Sequence, residues 1–99
     1  MQGSQERLQA QHLVEAQIEA LRAKGGISVS GNCYDGVNET ATCNNFKRSG
    51  SGATYTARVV GPTGFNNVPP NKYTITVSWT SPGASTDDDS SVVMTYRLN

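Results

Sequence analysis

The sequence predicts an α+β fold: one long N-terminal amphipathic helix packed on a single antiparallel sheet of about four strands. Two observations carry this. From Ser4 to Lys24 there is no Gly or Pro, and Ala10, Leu13, Val14, Ile18 and Leu21 recur at spacings of three and four, which lines them on one helical stripe. After Gly26 the period changes to two, with β-branched and aromatic residues alternating with hydroxyl residues between clusters of turn formers. At 99 residues the chain has apolar surface for one core, hence one domain.

The helix is built from Ala, Leu, Gln, Glu and Arg, which lose little side-chain freedom in a helix. Glu15, Glu19 and Arg22 fall opposite the apolar stripe. Gly25-Gly26 supplies a left-handed stop, and Arg22 and Lys24 place positive charge in the last turn, where the helix dipole favours it. Met1-Gln2-Gly3-Ser4 reads as an initiator and cloning scar ahead of a helix already under way. The expected organisation is therefore scar 1–4, helix 5–24 and β-sheet head 25–99, helix and head forming one domain. The upstream part of the helix is expected to have been removed.

The clearest strand is Lys72–Thr80, where Tyr73, Ile75, Val77 and Trp79 point one way and Thr74, Thr76, Ser78 and Thr80 the other. A second spans Ser91–Leu98 with Val92, Met94, Tyr96 and Leu98 on one side. A third spans Thr54–Val60 with Tyr55, Ala57 and Val59. Ile27–Ser30 starts a fourth. Gly61-Pro62-Thr63-Gly64, Val68-Pro69-Pro70-Asn71 and Ser81-Pro82-Gly83-Ala84 are the turns between them. The Tyr73/Ile75/Val77/Trp79 and Val92/Met94/Tyr96/Leu98 rows are the expected partners of Leu13, Val14, Ile18 and Leu21, because an apolar stripe and an apolar sheet face must cover each other.

Charge and cysteine usage narrow the function. Eight basic and eight acidic side chains cancel, so no overall field draws the chain to nucleic acid or an anionic membrane, and polyanion binding needs a local patch. Lys47-Arg48 beside Phe46 is the one basic and aromatic cluster, and two charges attract a polyanion only weakly. Cys33 and Cys43 lie ten apart with no His or second Cys pair to complete a metal site, so a disulfide is favoured over two free thiols. It implies an oxidising compartment. No apolar run approaches the roughly 20 residues that span a bilayer, and no signal peptide is visible.

Catalytic motifs are absent. His12, the sole histidine, sits mid-helix without an adjacent acid or second ligand at metal spacing, so neither a triad nor a metal site is expected around it. Arg48-Ser49-Gly50-Ser51-Gly52 lacks the Lys-Ser/Thr ending of a phosphate loop and reads as flexible. Asp87-Asp88-Asp89 lacks the spacing and distal Glu of a calcium loop and reads as a solvated hairpin loop. Asn38-Glu39-Thr40 matches a glycosylation sequon, a short pattern that carries no functional assignment by itself. Trp79 and the tyrosines occupy alternating strand positions, where core is favoured over a carbohydrate platform.

The helix segment Ala10-Gln11-His12-Leu13-Val14-Glu15-Ala16-Gln17-Ile18-Glu19-Ala20-Leu21-Arg22 resembles that of minor pilins and pseudopilins of the type IV pilin-like family. Tyr73-Thr74-Ile75-Thr76-Val77-Ser78-Trp79 and Val92-Val93-Met94-Thr95-Tyr96 are similar to the closing strands of PilV-type minor pilins. Together these cover about half the chain. The resemblance implies the pilin fold and a prepilin cut and methylated by a dedicated peptidase. It also implies an apolar half-helix upstream, held in the inner membrane before assembly, and a head exposed in the periplasm and then on the bacterial surface. The implied role is non-catalytic: to initiate, cap or decorate a type IV pilus among other minor and major pilins, with no cofactor, metal, nucleic acid or small-molecule substrate. A pseudopilin of a type II secretion system and a secreted adhesin-like binding module are the alternatives. The family's processing site and assembly residues lie upstream of Met1, so none is carried over.

Overall fold

A computed structural model describes residues 2–47, 54–63, 71–80 and 90–98, with the side chains of 2–5, 47 and 80 left aside. The fold is α+β. Helix α1 spans Gln2–Lys24, so it takes in residues 2–4 as well as the expected 5–24. Its end follows the two glycines. Gly25 (φ 82°) and Gly26 (φ 140°) take backbone angles that side-chain-bearing residues avoid, and the Gly25 and Gly26 N–H groups both donate to the Leu21 carbonyl, at 2.8 and 3.1 Å.

Past the stop, a small antiparallel hairpin forms from β1 (Cys33–Asp35) and β2 (Asn38–Thr40), with Cys33 opposite Thr40 and Asp35 opposite Asn38. Its two-residue turn is Gly36-Val37, and Gly36 at φ 66° supplies the positive angle that such hairpin turns need. Four further strands are β3 (Phe46–Lys47), β4 (Thr54–Val60), β5 (Lys72–Thr80) and β6 (Ser90–Arg97). They pair antiparallel in the order β3-β4-β5-β6. Three of them are long; β3 is a two-residue edge on the start of β4. The β-structure is thus not one sheet, because the β1–β2 hairpin stands apart. Ile27–Ser30 does not start a ladder strand: Ile27 makes an isolated parallel bridge to Thr63.

The core lies between α1 and the sheet. Tyr55, Ala57, Val59, Tyr73, Ile75, Val77 and Trp79 are buried on one face, while Thr56, Arg58, Thr74, Thr76 and Ser78 alternate with them on the other. Helix α1 contributes Ala10, Leu13, Val14, Ala20 and Leu21 and lies mainly over β5 and β6. The β6 row differs from expectation. Leu98 is buried and Val92 and Tyr96 are half-buried, but Met94 is 42% exposed. It projects on the core side of β6, which among the described residues pairs only with β5.

Candidate functional site

Two constructions give this molecule its usable surfaces: the seam between helix and sheet, and the fastening of the hairpin to that seam. Along the seam, Leu13, Val14 and Leu21 are buried, Ile18 is half-buried against the core, and Tyr73, Ile75, Val77 and Trp79 are buried opposite. The stripe also contains two polar residues, Glu6 and Gln17, that periodicity does not select. Tyr55 and Trp79 stack in a tilted pair with centroids 5.6 Å apart, and the Tyr55 hydroxyl donates to the Glu6 carbonyl at 2.9 Å. The Arg7 guanidinium sits 5.8 Å from the centre of the Trp79 ring, within cation–π range. Trp79 is therefore a core residue closing one end of the seam, not an exposed platform.

Gln17 explains how the hairpin is held. Its Nε2 donates to the Tyr34 carbonyl at 2.7 Å, and its Oε1 accepts from the Tyr34 N–H at 2.7 Å. One side-chain amide thus satisfies both backbone groups of a buried residue, as a neighbouring strand would. The Tyr34 hydroxyl donates to the Gly26 carbonyl at 2.5 Å, tying the same residue to the helix end. Burial, then the nearby Glu39 charge, push the Tyr34 phenol above its ordinary value.

Glu39 fastens the other strand of the hairpin. Its carboxylate accepts from the Ser28 N–H (3.0 Å), the Ser28 hydroxyl (2.6 Å), the Val29 N–H (3.1 Å) and Asn32 Nδ2 (2.8 Å). Burial alone raises the Glu39 carboxyl, but these donors, Ser28 foremost, outweigh it and hold it below its ordinary value. The disulfide Cys33–Cys43 is formed, with Cα atoms 5.9 Å apart, and joins β1 to the segment that leads into β3. That segment, together with Gly31 and Asn32 just ahead of β1, also covers the outer edge of β4. Ala57 N–H donates to the Cys43 carbonyl (2.9 Å), Val59 N–H to the Asn32 carbonyl (3.0 Å), and Gly31 N–H to the Val59 carbonyl (2.7 Å).

Two open clefts flank the hairpin. Lys24, Tyr34, Val37, Asn38 and Glu39 line one of about 330 Å³, and Asp35, Thr40, Thr42, Asn45 and Phe46 line one of about 480 Å³. His12 is exposed on the solvent side of α1 beside Glu15, Ala16 and Glu19, and Glu19 is paired with Arg22. Among the described residues no three His, Cys, Asp or Glu side chains converge as metal ligands. The sequon residues Asn38, Glu39 and Thr40 form β2, with Glu39 consumed by the bonds above. Segment 48–52, the acidic triplet 87–89 and Arg48 of the basic cluster lie outside the described residues, as does the Lys47 side chain.

Among the described residues no helix is long and apolar enough to cross a membrane. No protein-family model matches this chain, and no curated protein or solved structure matches it.

Proposed function

We propose that this chain is the head and distal helix of a minor pilin, a non-catalytic subunit that initiates, caps or decorates a type IV pilus. The observation that carries the reading is the helix itself. Twenty-three residues, about 35 Å at 1.5 Å per residue, run unbroken along one face of an antiparallel sheet, and the chain turns into that sheet only at Gly25-Gly26. A helix of this kind is suited to carry a head from a membrane-held or filament-buried segment, and the sheet β3-β4-β5-β6 is read as the pilin sheet. The disulfide supports export to an oxidising compartment. On this reading the partners are other minor and major pilins, and the protein passes through inner membrane and periplasm to the surface. The test is to shear surface filaments from the native host, probe them for this protein, and count pili in a deletion strain. Its presence in filaments, or fewer pili without it, supports the reading. Normal filaments that lack it, with failed protein secretion, reassign it as a type II secretion pseudopilin. If neither process changes, the filament role is wrong.

A further inference from the structure

The two faces of the main sheet differ in chemistry. The inner face, with Tyr73, Ile75 and Val77 buried, meets α1, so the alternate residues stand on the outer one. There the register sets them in rows: Thr56 beside Ser78 and Ser91, Arg58 beside Thr76 and Val93, Val60 beside Thr74 and Thr95, and Lys72 beside Arg97. Arg58, Lys72 and Arg97 are exposed, and none of them makes an ion pair among the described residues. The described acids lie elsewhere, Glu6, Glu15 and Glu19 in α1 and Asp35 and Glu39 in the hairpin. A chain of zero formal charge thus puts three of its eight basic residues, and none of the described acids, on one sheet face. Far apart in sequence, the three are assembled only by strand register. Lys72 and Arg97, directly opposed, weaken the ladder they sit in, and an anion bridging them relieves that opposition.

We propose that this outer face binds an acidic polysaccharide, a hydroxyl-bearing chain that carries carboxylate or sulfate groups. Two parts of the face match two parts of such a ligand. Lys72 and Arg97, with Thr74 and Thr95 one row in, form a four-cornered set of donors, about 5 Å by 7 Å at the backbone, around one oxyanion. Arg58 lies one strand across and four residues along, about 14 Å from Lys72 at ordinary strand spacings, and takes a second oxyanion. Between these two points stand Thr74 and Thr76, whose hydroxyls both donate and accept, as sugar hydroxyls do. A single small anion leaves Arg58 unused. Duplex nucleic acid fits less well, because its grooves admit a helix or a two-stranded ribbon and a flat three-stranded face reaches only phosphates. The aromatic residues that could stack unpaired bases, Tyr55, Tyr73 and Trp79, are buried on the other face. For a membrane surface, the exposed large apolar residues of this face are Val60 and Val93 alone among the described residues, too few to insert. The Cys33–Cys43 disulfide supports an exported chain, and acidic polysaccharides are displayed outside the cell.

The proposal goes beyond the pilus reading and stands or falls without it, since the test uses the chain alone. Binding is measured by calorimetric titration against polygalacturonate and heparin, the carboxylate and sulfate probes, and against neutral dextran, a mixed-sequence DNA duplex and phosphatidylglycerol vesicles. The two salt concentrations, about 20 and 300 mM, make screening weak and then strong. An acidic polysaccharide is expected to bind at the lower salt, dextran is not, and affinity is expected to fall about tenfold or more at the higher. Binding of either acidic probe supports the proposal, and which one binds distinguishes carboxylate from sulfate. Lys72→Thr and Arg97→Thr each remove one charge and the like-charge opposition, so binding should weaken about fivefold or more while Tm holds or rises, which separates lost binding from lost folding. Thr74→Val, which keeps shape and charge and removes one hydroxyl, should weaken it about threefold. Lys24→Gln, which removes the same unit charge at the helix end, should change it less than about twofold. No binding of either acidic polysaccharide at the lower salt overturns the proposal. An equal loss from Lys24→Gln also overturns it, since net charge and not this face is then the cause. Tighter binding to the duplex than to either polysaccharide gives the face to nucleic acid, and binding to the vesicles alone gives it to a membrane; either result sinks the polysaccharide assignment.

Discussion

Replacing Gln17 by leucine tests how the hairpin is attached. The change keeps length and helix propensity, adds apolar surface to an apolar surrounding, and removes the one group that pairs with the Tyr34 backbone. A buried backbone N–H and carbonyl lose their partners together, each costing about 1 to 3 kcal/mol. The leucine returns about 1 kcal/mol through greater apolarity. The net expectation is a loss of about 1 to 5 kcal/mol, which for a domain of this size lowers Tm by roughly 5 to 25 °C. Urea unfolding followed by the fluorescence of Trp79, the sole tryptophan, gives the number. Amide exchange at Tyr34 locates it, since that N–H should become the most accelerated. Gln17→Glu sharpens the test. A carboxylate still accepts from the Tyr34 N–H but faces the Tyr34 carbonyl, so the buried acid favours its protonated form and its folded pKa is raised. Stability is then fully present below the unfolded value, about 4.3, and is lost as pH rises through the folded one. A loss under about 1 kcal/mol for Gln17→Leu, with Tyr34 exchange unchanged, refutes the assignment of Gln17 as the fastening.

Three further outcomes follow from the geometry. Because Glu39 is held below its ordinary value by its donors, its contribution is present above the unfolded pKa, about 4.3, and is lost as pH falls through the lower folded one, so the Tm difference between wild type and Glu39→Gln should be full above that unfolded value and shrink steadily as pH falls below it. Replacing Cys33 and Cys43 together by alanine frees a loop of ten-residue separation and should cost about 2 to 3 kcal/mol in urea unfolding, with a steeper loss in hairpin protection than in sheet protection. Lys72 and Arg97 are directly opposite in the β5–β6 ladder, a like-charge cross-strand pair, so Lys72→Glu should stabilise the sheet by about 0.5 kcal/mol, read as a small rise in Tm that salt abolishes.

The helix and the two central strands were legible in the sequence because each obeys one period over many residues. Thr54–Val60 and Lys72–Thr80 are found at the expected bounds, and β6 is displaced by one residue from Ser91–Leu98 to Ser90–Arg97. The hairpin was not legible. Its strands are three residues long, too short for alternation to register, and its side chains are mostly polar because polar bonds hold it in place. Gln17 escaped for a related reason. A period search scores apolar positions, so a glutamine at a core position reads as a gap in the stripe, although a buried glutamine is itself the signal that a backbone must come to meet it. Met94 is exposed on the core side, which the pattern does not show, because alternation fixes which face a residue takes and is silent about how completely that face is covered.

These differences have one physical root. The sheet and helix are joined by burial, which is spread over many side chains and is insensitive to the loss of any one bond. The hairpin is joined by a few named interactions: Gln17 to Tyr34, Tyr34 to Gly26, Glu39 to the 28–32 backbone and side chains, and the disulfide. Stability should therefore be uneven, with the hairpin opening below the free energy of global unfolding while β4 and β5 exchange only through it. The same division assigns surfaces. The seam that carries the helix is the broadly buried part, and the hairpin with its two clefts is the part that can vary in sequence and shape with least effect on it. Substitutions at Val37, exposed in the hairpin turn, should leave Tm unchanged, whereas an equally conservative change at Val77 in the seam, Val77→Ala, should cost about 2 to 3 kcal/mol.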